Sequence, residues 1–378
     1  MKKAIIALSI LALVASVATA EVTLGAWGRG VFLPVYNSGV SGEDSKTANV
    51  VSWGGAPRIG FTVAGNGESM GFQADMNVDG GSVNLGDNQY IWAKPVAMVK
   101  VSLGNFYDDT LRNNEGFGAF NWYRGTSIGI GESIAFSRIN ENRGSQQFEV
   151  SVKPNDAIYA AISFVNVGQG NGGMQLQENL FRNVQVAGGY TIAGLGQIKA
   201  QYLSTAVVDP SDVTAFVANN SVEVAFKLTK IENLVAEAGF AMFLNDDVQK
   251  IDFAGMTGVP VEGVKKIALT ANYKMDAVTL HFYNIEKMLK FVGVSDMYTF
   301  ADLGVGADYA LAGGLTVSGD IRYENVFGKD ASDVVDPSTS FFAGISKGLS
   351  NGKIGVGFEY LSATNSSYAI PVVLEYGF

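Results

Sequence analysis

The sequence predicts an all-β chain closed into a transmembrane antiparallel up-and-down β-barrel of about eighteen strands. Three observations carry that expectation. Apolar and polar residues alternate with period two along most of the chain, short turns and longer polar loops alternate between those segments, and no stretch past residue 20 approaches the roughly 18 consecutive apolar residues of a membrane helix. Met70, Phe72, Ala74, Met76 and Val78 alternate with Gly71, Gln73, Asp75 and Asn77. Val222, Val224, Phe226 and Leu228 alternate with Glu223, Ala225 and Lys227, and Leu315, Val317, Ile321 and Tyr323 with Thr316, Ser318, Asp320 and Arg322. Period two gives each strand one dry and one wet face. Closing such strands into a barrel pairs every backbone group and lets the dry faces meet lipid.

In chain order, the first element is an export signal. Lys2 and Lys3 form a basic start, Ala4–Val17 is apolar except for Ser9 and Ser16, and Ala18-Thr19-Ala20 is a small-residue cleavage site. The apolar run is short for a ~30 Å hydrocarbon core, so cleavage is favoured over a retained anchor helix. Residues 1–20 are therefore expected to be removed, leaving 21–378 as a single barrel domain. Strands are expected at 22–34, 55–64, 69–78, 88–95, 98–106, 145–153, 157–166, 180–192, 197–205, 220–228, 234–243, 264–274, 277–285, 298–309, 315–324, 338–347, 353–361 and 368–378. Eighteen is even, which puts both termini at the turn side; sixteen is the alternative if two weak strands are misread. A further alternating piece, Ser133–Ile139, would break the parity and is assigned to the long connection 107–144.

Short turns are expected at Gly65-Asn66-Gly67, Lys94–Ala97, Lys153–Asp156, Lys274–Asp276 and Gly348–Gly352. Longer polar loops are expected at Asn37–Ala48, Gly168–Asn179, Leu244–Gly263 and Asn325–Pro337. One short helix is a candidate, Asn284–Phe291, with Ile285, Met288 and Leu289 on one face and Glu286 and Lys290 spaced i,i+4. Seven prolines fall at strand ends, turns or loops, where a missing N–H does little harm. Pro371, inside the last strand, does not fit.

Composition narrows the chemistry. The chain has 378 residues with 46 Gly, 16% charged residues, no Cys and a single His, His281. Without Cys there is no disulfide, thiol nucleophile, Cys-ligated metal or lipidated N-terminal Cys. With 26 basic against 36 acidic residues, phosphate neutralisation is not available, so no nucleic-acid partner is expected. Loss of Lys2 and Lys3 with the signal takes the formal charge from −10 to −12. Gly168–Gly173 satisfies G-x-G-x-x-G, but no helix pattern follows, so it reads as a loop rather than a dinucleotide site. Asn245-Asp246-Asp247 reads as a solvated turn in preference to a calcium site. His281 shares a wet face with Thr279 and Tyr283 and reads as a pore-lining residue. No cofactor is called for.

The last residues, Tyr-Ala-Ile-Pro-Val-Val-Leu-Glu-Tyr-Gly-Phe, put Tyr368, Ile370, Val372, Leu374, Tyr376 and Phe378 on one face and stop on an aromatic. This resembles the C-terminal signal of Gram-negative outer-membrane barrels, and with the signal peptide, size and strand count the chain resembles a general-diffusion porin. Asn88–Arg112 also resembles a hairpin-then-loop block of spirochaetal outer-membrane barrels. The resemblance implies a bacterial outer-membrane location, passive passage of small hydrophilic solutes or ions, no enzymatic activity, and a homotrimer. Its partners would be outer-membrane lipid and the assembly machinery, the latter reading Tyr376 and Phe378. In such porins the loop after strand five folds inward, which here nominates 107–144 as a constriction carrying Asp108, Asp109, Arg112, Glu115 and Arg124.

With the more polar face of each strand taken as the lumen, the wall carries Arg29, Arg58, Lys100, Lys153, Lys199, Lys227, Lys266, Arg322 and Lys353. The acidic counterparts are Asp75, Glu149, Glu223, Glu237, Asp302, Asp308, Asp320, Glu324, Glu359 and Glu375. The wall is then close to neutral and the mouths are acidic, so a weakly cation-selective channel is expected. The rival reading from another class is a surface structural protein or adhesin whose loops bind an external ligand.

Overall fold

The computed structural model describes residues 21–39, 46–50, 58–79, 82–106, 146–166, 184–209, 212–244, 248–253, 256–324, 336–363 and 365–377. The strands are β1 (Glu21–Asn37), β2 (Lys46–Val50), β3 (Arg58–Asn66), β4 (Met70–Asp79), β5 (Ser82–Val96), β6 (Val99–Asn105), β7 (Gln146–Val152), β8 (Ile158–Asn166), β9 (Val184–Ile192) and β10 (Gly196–Asp209). They continue with β11 (Asp212–Leu228), β12 (Leu234–Phe243), β13 (Gln249–Phe253), β14 (Met256–Met275), β15 (Val278–Phe291), β16 (Tyr298–Leu311), β17 (Leu315–Glu324), β18 (Ser338–Leu349), β19 (Gly352–Ser362) and β20 (Ser367–Gly377).

Each strand hydrogen-bonds antiparallel to its neighbours in chain order, and β1 closes the ring on β20, with Trp27 opposite Gly377 and Asn37 opposite Tyr368. Two strands lengthen others instead of adding to the ring. β2 pairs with the upper part of β1 while β3 pairs with its lower part, and β13 and β12 divide β14 in the same way. The ring therefore has eighteen members, every one overlapping a span expected from the alternation. β6 and β7 pair directly, Val99 opposite Val152, so the chain between them leaves and re-enters at one edge of the ring. The two-residue turn Asp276-Ala277 joins β14 to β15, with Asp276 at φ 47°, in the left-handed region a tight hairpin turn uses.

Three expectations are corrected. Asn284–Phe291 is the upper half of β15, not a helix. The loops expected at Asn37–Ala48 and Leu244–Gly263 contain the start of β2, and β13 with the first residues of β14, because the hairpins rise past the apolar band. Pro371 finds its account at the seam. Pro34 lies in a bulge of β1 between Phe32 and Val35, and Pro371 lies opposite that bulge. The two residues without an N–H face each other where the ladder is already interrupted, so no donor is lost.

Burial is inverted relative to a water-soluble protein. Leu85 is 73% exposed, Met70 65% and Leu374 57%, whereas Arg322, Glu223 and Glu359 are wholly buried. The alternation thus points apolar side chains outward to hydrocarbon and polar ones inward. Outward tyrosines mark the edges of the band. Tyr190, Tyr273, Tyr309 and Tyr376 stand near the turn end, and Tyr360 opposite Tyr368 near the loop end. Tyr368 and Tyr376 are separated by about 26 Å along β20 at ~3.3 Å per residue, and by ~20 Å along the axis once strands tilt. That matches an outer-membrane hydrocarbon band flanked by aromatic girdles.

Candidate functional site: the inner wall of the barrel

Directly opposed residues on antiparallel strands share a face, so register traces rows around the wall. One row runs Arg58, Arg29, Glu375, Lys353: Arg29 is opposite both Arg58 and Glu375, and Lys353 is opposite Glu375. Lys353 Nζ reaches Glu375 Oε2 at 3.0 Å. The Arg29 guanidinium sits 4.8 Å from the ring of Trp27, which lies over Gly60 so closely that a Cβ there would come within 2.2 Å of the indole. Glycine at this position lets the indole lie against the wall and leaves the lumen open.

Asp75 is held by three neighbours. Thr62 Oγ1 donates to Oδ1 at 2.9 Å, Asn88 Nδ2 to Oδ2 at 2.8 Å, and Gln73 Nε2 to Oδ1 at 3.1 Å. Together they fix a negative charge on the wall of β4. On β15, His281 is opposite Asn272 of β14, with Nδ1 2.6 Å from Asn272 Oδ1 and Nε2 2.9 Å from Asp308 Oδ2 of β16. Both ring nitrogens face oxygens, so the imidazole is a clamped structural part of the wall. Among the described residues no group of three or more His, Asp or Glu side chains converges as a metal site would.

Higher on the wall, Glu223, Ala241, Lys266, Lys287 and Phe300 form another row. The opposed Lys266 and Lys287 are flanked by carboxylates: Lys287 Nζ lies 3.0 Å from Asp302 Oδ2. Lys227 Nζ lies 3.1 Å from Glu237 Oε1 two rows below. Apolar side chains interleave with these charges, Val264, Leu289 and Phe300 in one cluster and Ala225, Ala241, Ala268, Tyr283 and Ile285 in another.

The wall residues expected within strands, including Arg29, Arg58, Asp75, Lys100 and His281, lie on the inner face, whereas Lys153 lies in the exposed turn after β7. Three lysines had been missed: Lys94, Lys274 and Lys287 also occupy inward positions in β5, β14 and β15. Lys94 alternates with Tyr90 and Trp92, so the bulky aromatics on its face obscured the polar signal. Tyr376 is 51% exposed on the outer face. Asp108, Asp109, Arg112, Glu115, Arg124, Phe378, Gly168–Gly173, Asn245–Asp247 and Ser133–Ile139 lie outside the described residues.

The described wall has a cavity of about 610 Å³ at the turn end of β5–β8. Tyr90, Phe106 and Tyr159 supply its ring surfaces, and Lys94, Lys100 and Lys153 its cationic groups. Tyr90 and Phe106 are tilted against each other with centroids 4.9 Å apart. Lys100 Nζ is 5.3 Å from the ring of Tyr90 and 5.7 Å from that of Trp92, and Lys94 Nζ is 5.2 Å from Trp92. Trp92 in turn crosses Gly71, where a Cβ would meet it at 2.5 Å.

No protein-family model and no curated protein sequence matches the chain. Solved structures do. A loop L8 deletion variant of OmpT, an outer membrane protein of Vibrio cholerae, superposes with TM-score 0.53 and 14% identity over 95% of this chain and all of the other. The anion-selective porin of Comamonas acidovorans superposes with TM-score 0.52 and 13% identity, with the same coverage. At such identity the likeness is one of fold. A closed eighteen-membered barrel with an apolar outer band, a polar inner wall and tyrosine girdles is the architecture of a bacterial outer-membrane protein.

Proposed function

We propose that the protein is a non-catalytic porin through which small hydrophilic solutes and ions diffuse passively across the outer membrane. The carrying observation is the charged inner wall enclosed by an apolar outer face. A polar lumen wide enough for eighteen strands has no purpose in holding a core together, whereas it suits a water-filled path. Segment 107–144, which leaves and returns between β6 and β7, is assigned as the constriction, with Asp108, Asp109, Arg112, Glu115 and Arg124 setting its field.

The channel is proposed to be weakly cation-selective, unlike its anion-selective structural neighbour. The described wall carries basic and acidic groups in similar number, so the negative balance of the mature chain resides largely in the connections at the mouths, where it concentrates cations. The chain is proposed to assemble as a homotrimer. Planar-bilayer recording of the purified full-length protein tests the reading: discrete ohmic steps, with a reversal potential in a salt gradient of the sign for cation preference, are expected. Absence of any conductance from folded protein would refute the channel.

A further inference from the structure

We infer that the outer face of β1 and β3–β8 is the contact surface between copies of this chain in the membrane, while β9–β20 face lipid. This rests on the homotrimer reading and assigns the surface that builds it. The carrying observation is where the amphipathic aromatics point. The six girdle tyrosines, together with Tyr202 on β10 and Tyr323 on β17, all point outward from β9–β20. Among the described residues no tyrosine or tryptophan points outward from β1 or β3–β8. These strands are not poor in such residues: Trp27, Tyr36, Tyr90, Trp92 and Tyr159 all turn inward.

A tyrosine at the membrane boundary keeps its ring in hydrocarbon and its hydroxyl among headgroups and water. Against a protein neighbour the hydroxyl would lose that water and need a new partner. Hairpin β4–β5 shows what stands in its place. At the girdle heights it carries Met70 opposite Ala93 and Val78 opposite Val83, and Met70 and Val78 are as far apart along the chain as Tyr368 and Tyr376. Met70 is 65% and Val83 69% exposed, whereas Leu269, Val305 and Val356 on the other side are 41%, 48% and 42% exposed. The apolar surface least covered by its own neighbours is therefore on this face.

Its extent identifies the occupant. The seven strands are adjacent in the closed ring. At ~4.8 Å per strand and ~26 Å between girdles they present roughly 900 Å² of sheet, comparable with the ~800 Å² each partner gives to a standard interface. They span about 140° of an eighteen-membered ring. Three like barrels around a threefold axis touch their neighbours along lines about 60° apart, so each copy needs one broad, unbroken arc. A single bound lipid would shield far less. β20, although next to β1, carries Tyr368 and Tyr376 and stays with the lipid side.

The chain has no cysteine, so a single one can be introduced and labelled with a fluorophore. Ile91→Cys on β5 and Leu103→Cys on β6 report the proposed face, and Leu269→Cys on β14 and Val305→Cys on β16 report the lipid side. Each full-length variant is reconstituted into vesicles of brominated phosphatidylcholine, and its mass is measured in mild detergent. The expected result is an oligomer in which the labels at positions 269 and 305 lose most of their emission to bromine and those at 91 and 103 keep most of theirs. An unlabelled pair guards against a label forcing the copies apart: Ile91→Gln should deplete the oligomer on unheated gels, and Leu269→Gln should not. An oligomer whose four labels are quenched alike, or one depleted equally by both glutamine variants, would overturn the face and leave the homotrimer standing. A monomeric mass for the unsubstituted protein would sink both.

Discussion

Gly304 faces the lumen directly opposite Tyr283, whose ring lies across it. A Cβ built there would stand 2.0 Å from Tyr283 Cε1, 2.7 Å from Cδ1 and 2.8 Å from Cζ. Tyr283 is 1% exposed and packs within the Ala225, Ala241, Ala268 and Ile285 cluster, so the ring cannot swing aside without disturbing its neighbours. Gly304→Ala is therefore expected to destabilise the barrel by about 1–3 kcal/mol, the range for forcing one extra carbon into a packed interior. Gly25 supplies the control. It also faces inward, but a Cβ there would meet only Thr62 Cβ at 3.8 Å, an ordinary contact. Gly25→Ala should be neutral or stabilising by up to ~1 kcal/mol, because glycine in a strand loses more backbone freedom on folding than alanine does. The assay is urea unfolding of the barrel refolded into lipid vesicles, followed by tryptophan fluorescence. Adding Tyr283→Leu to Gly304→Ala should cost less than the two single changes together, since removing the ring removes the overlap. Equal stability of Gly304→Ala and Gly25→Ala would refute the packing argument, as would strict additivity in the double variant.

Further outcomes follow from the same architecture. The folded barrel should give a far-UV spectrum dominated by strand and migrate faster on a gel before boiling than after, because a closed hydrogen-bond ring offers detergent no edge to open; a helix-dominated spectrum would contradict the fold. Deleting Phe378 should lower outer-membrane insertion several-fold while leaving export to the periplasm intact, read by fractionation; normal insertion would remove Phe378 from the assembly signal. Replacing Asp108 and Asp109 with Asn should shift the reversal potential toward zero more than replacing Glu43 and Asp44 with Gln and Asn, because charges in a narrow passage are screened less than charges on an outer loop. Equal shifts would place 107–144 outside the conducting path.

Much of this protein was legible along the chain because a barrel strand needs nothing but its neighbours to declare its two faces. Lipid on one side and solvent on the other impose a period of two that survives without knowledge of the partner strand. The eighteen spans, the inward Arg29, Arg58, Asp75, Lys100 and His281, and the outward Tyr376 all follow from that contrast. The pattern failed where the contrast vanishes. On the upper half of β15, Ile285 and Leu289 point into the lumen and pack with apolar clusters there, while Asn284, Glu286 and Lys290 point outward near the rim. With the usual polarity of the faces reversed, the residues mimic one side of a helix.

What tertiary structure decided is which residues meet across strands distant in sequence. Pro34 and Pro371 are 337 positions apart, and only closure of β1 on β20 shows that one relieves the other. Likewise, nothing in the local pattern reveals that Gly71 lies under Trp92 or Gly304 under Tyr283. Nor does it reveal that Trp92 props Lys94 and Lys100 at the edge of a cavity. Alternation determines the face a side chain occupies, one residue at a time. Register, set by the summed hydrogen bonds and shear of the closed ring, determines what stands beside it.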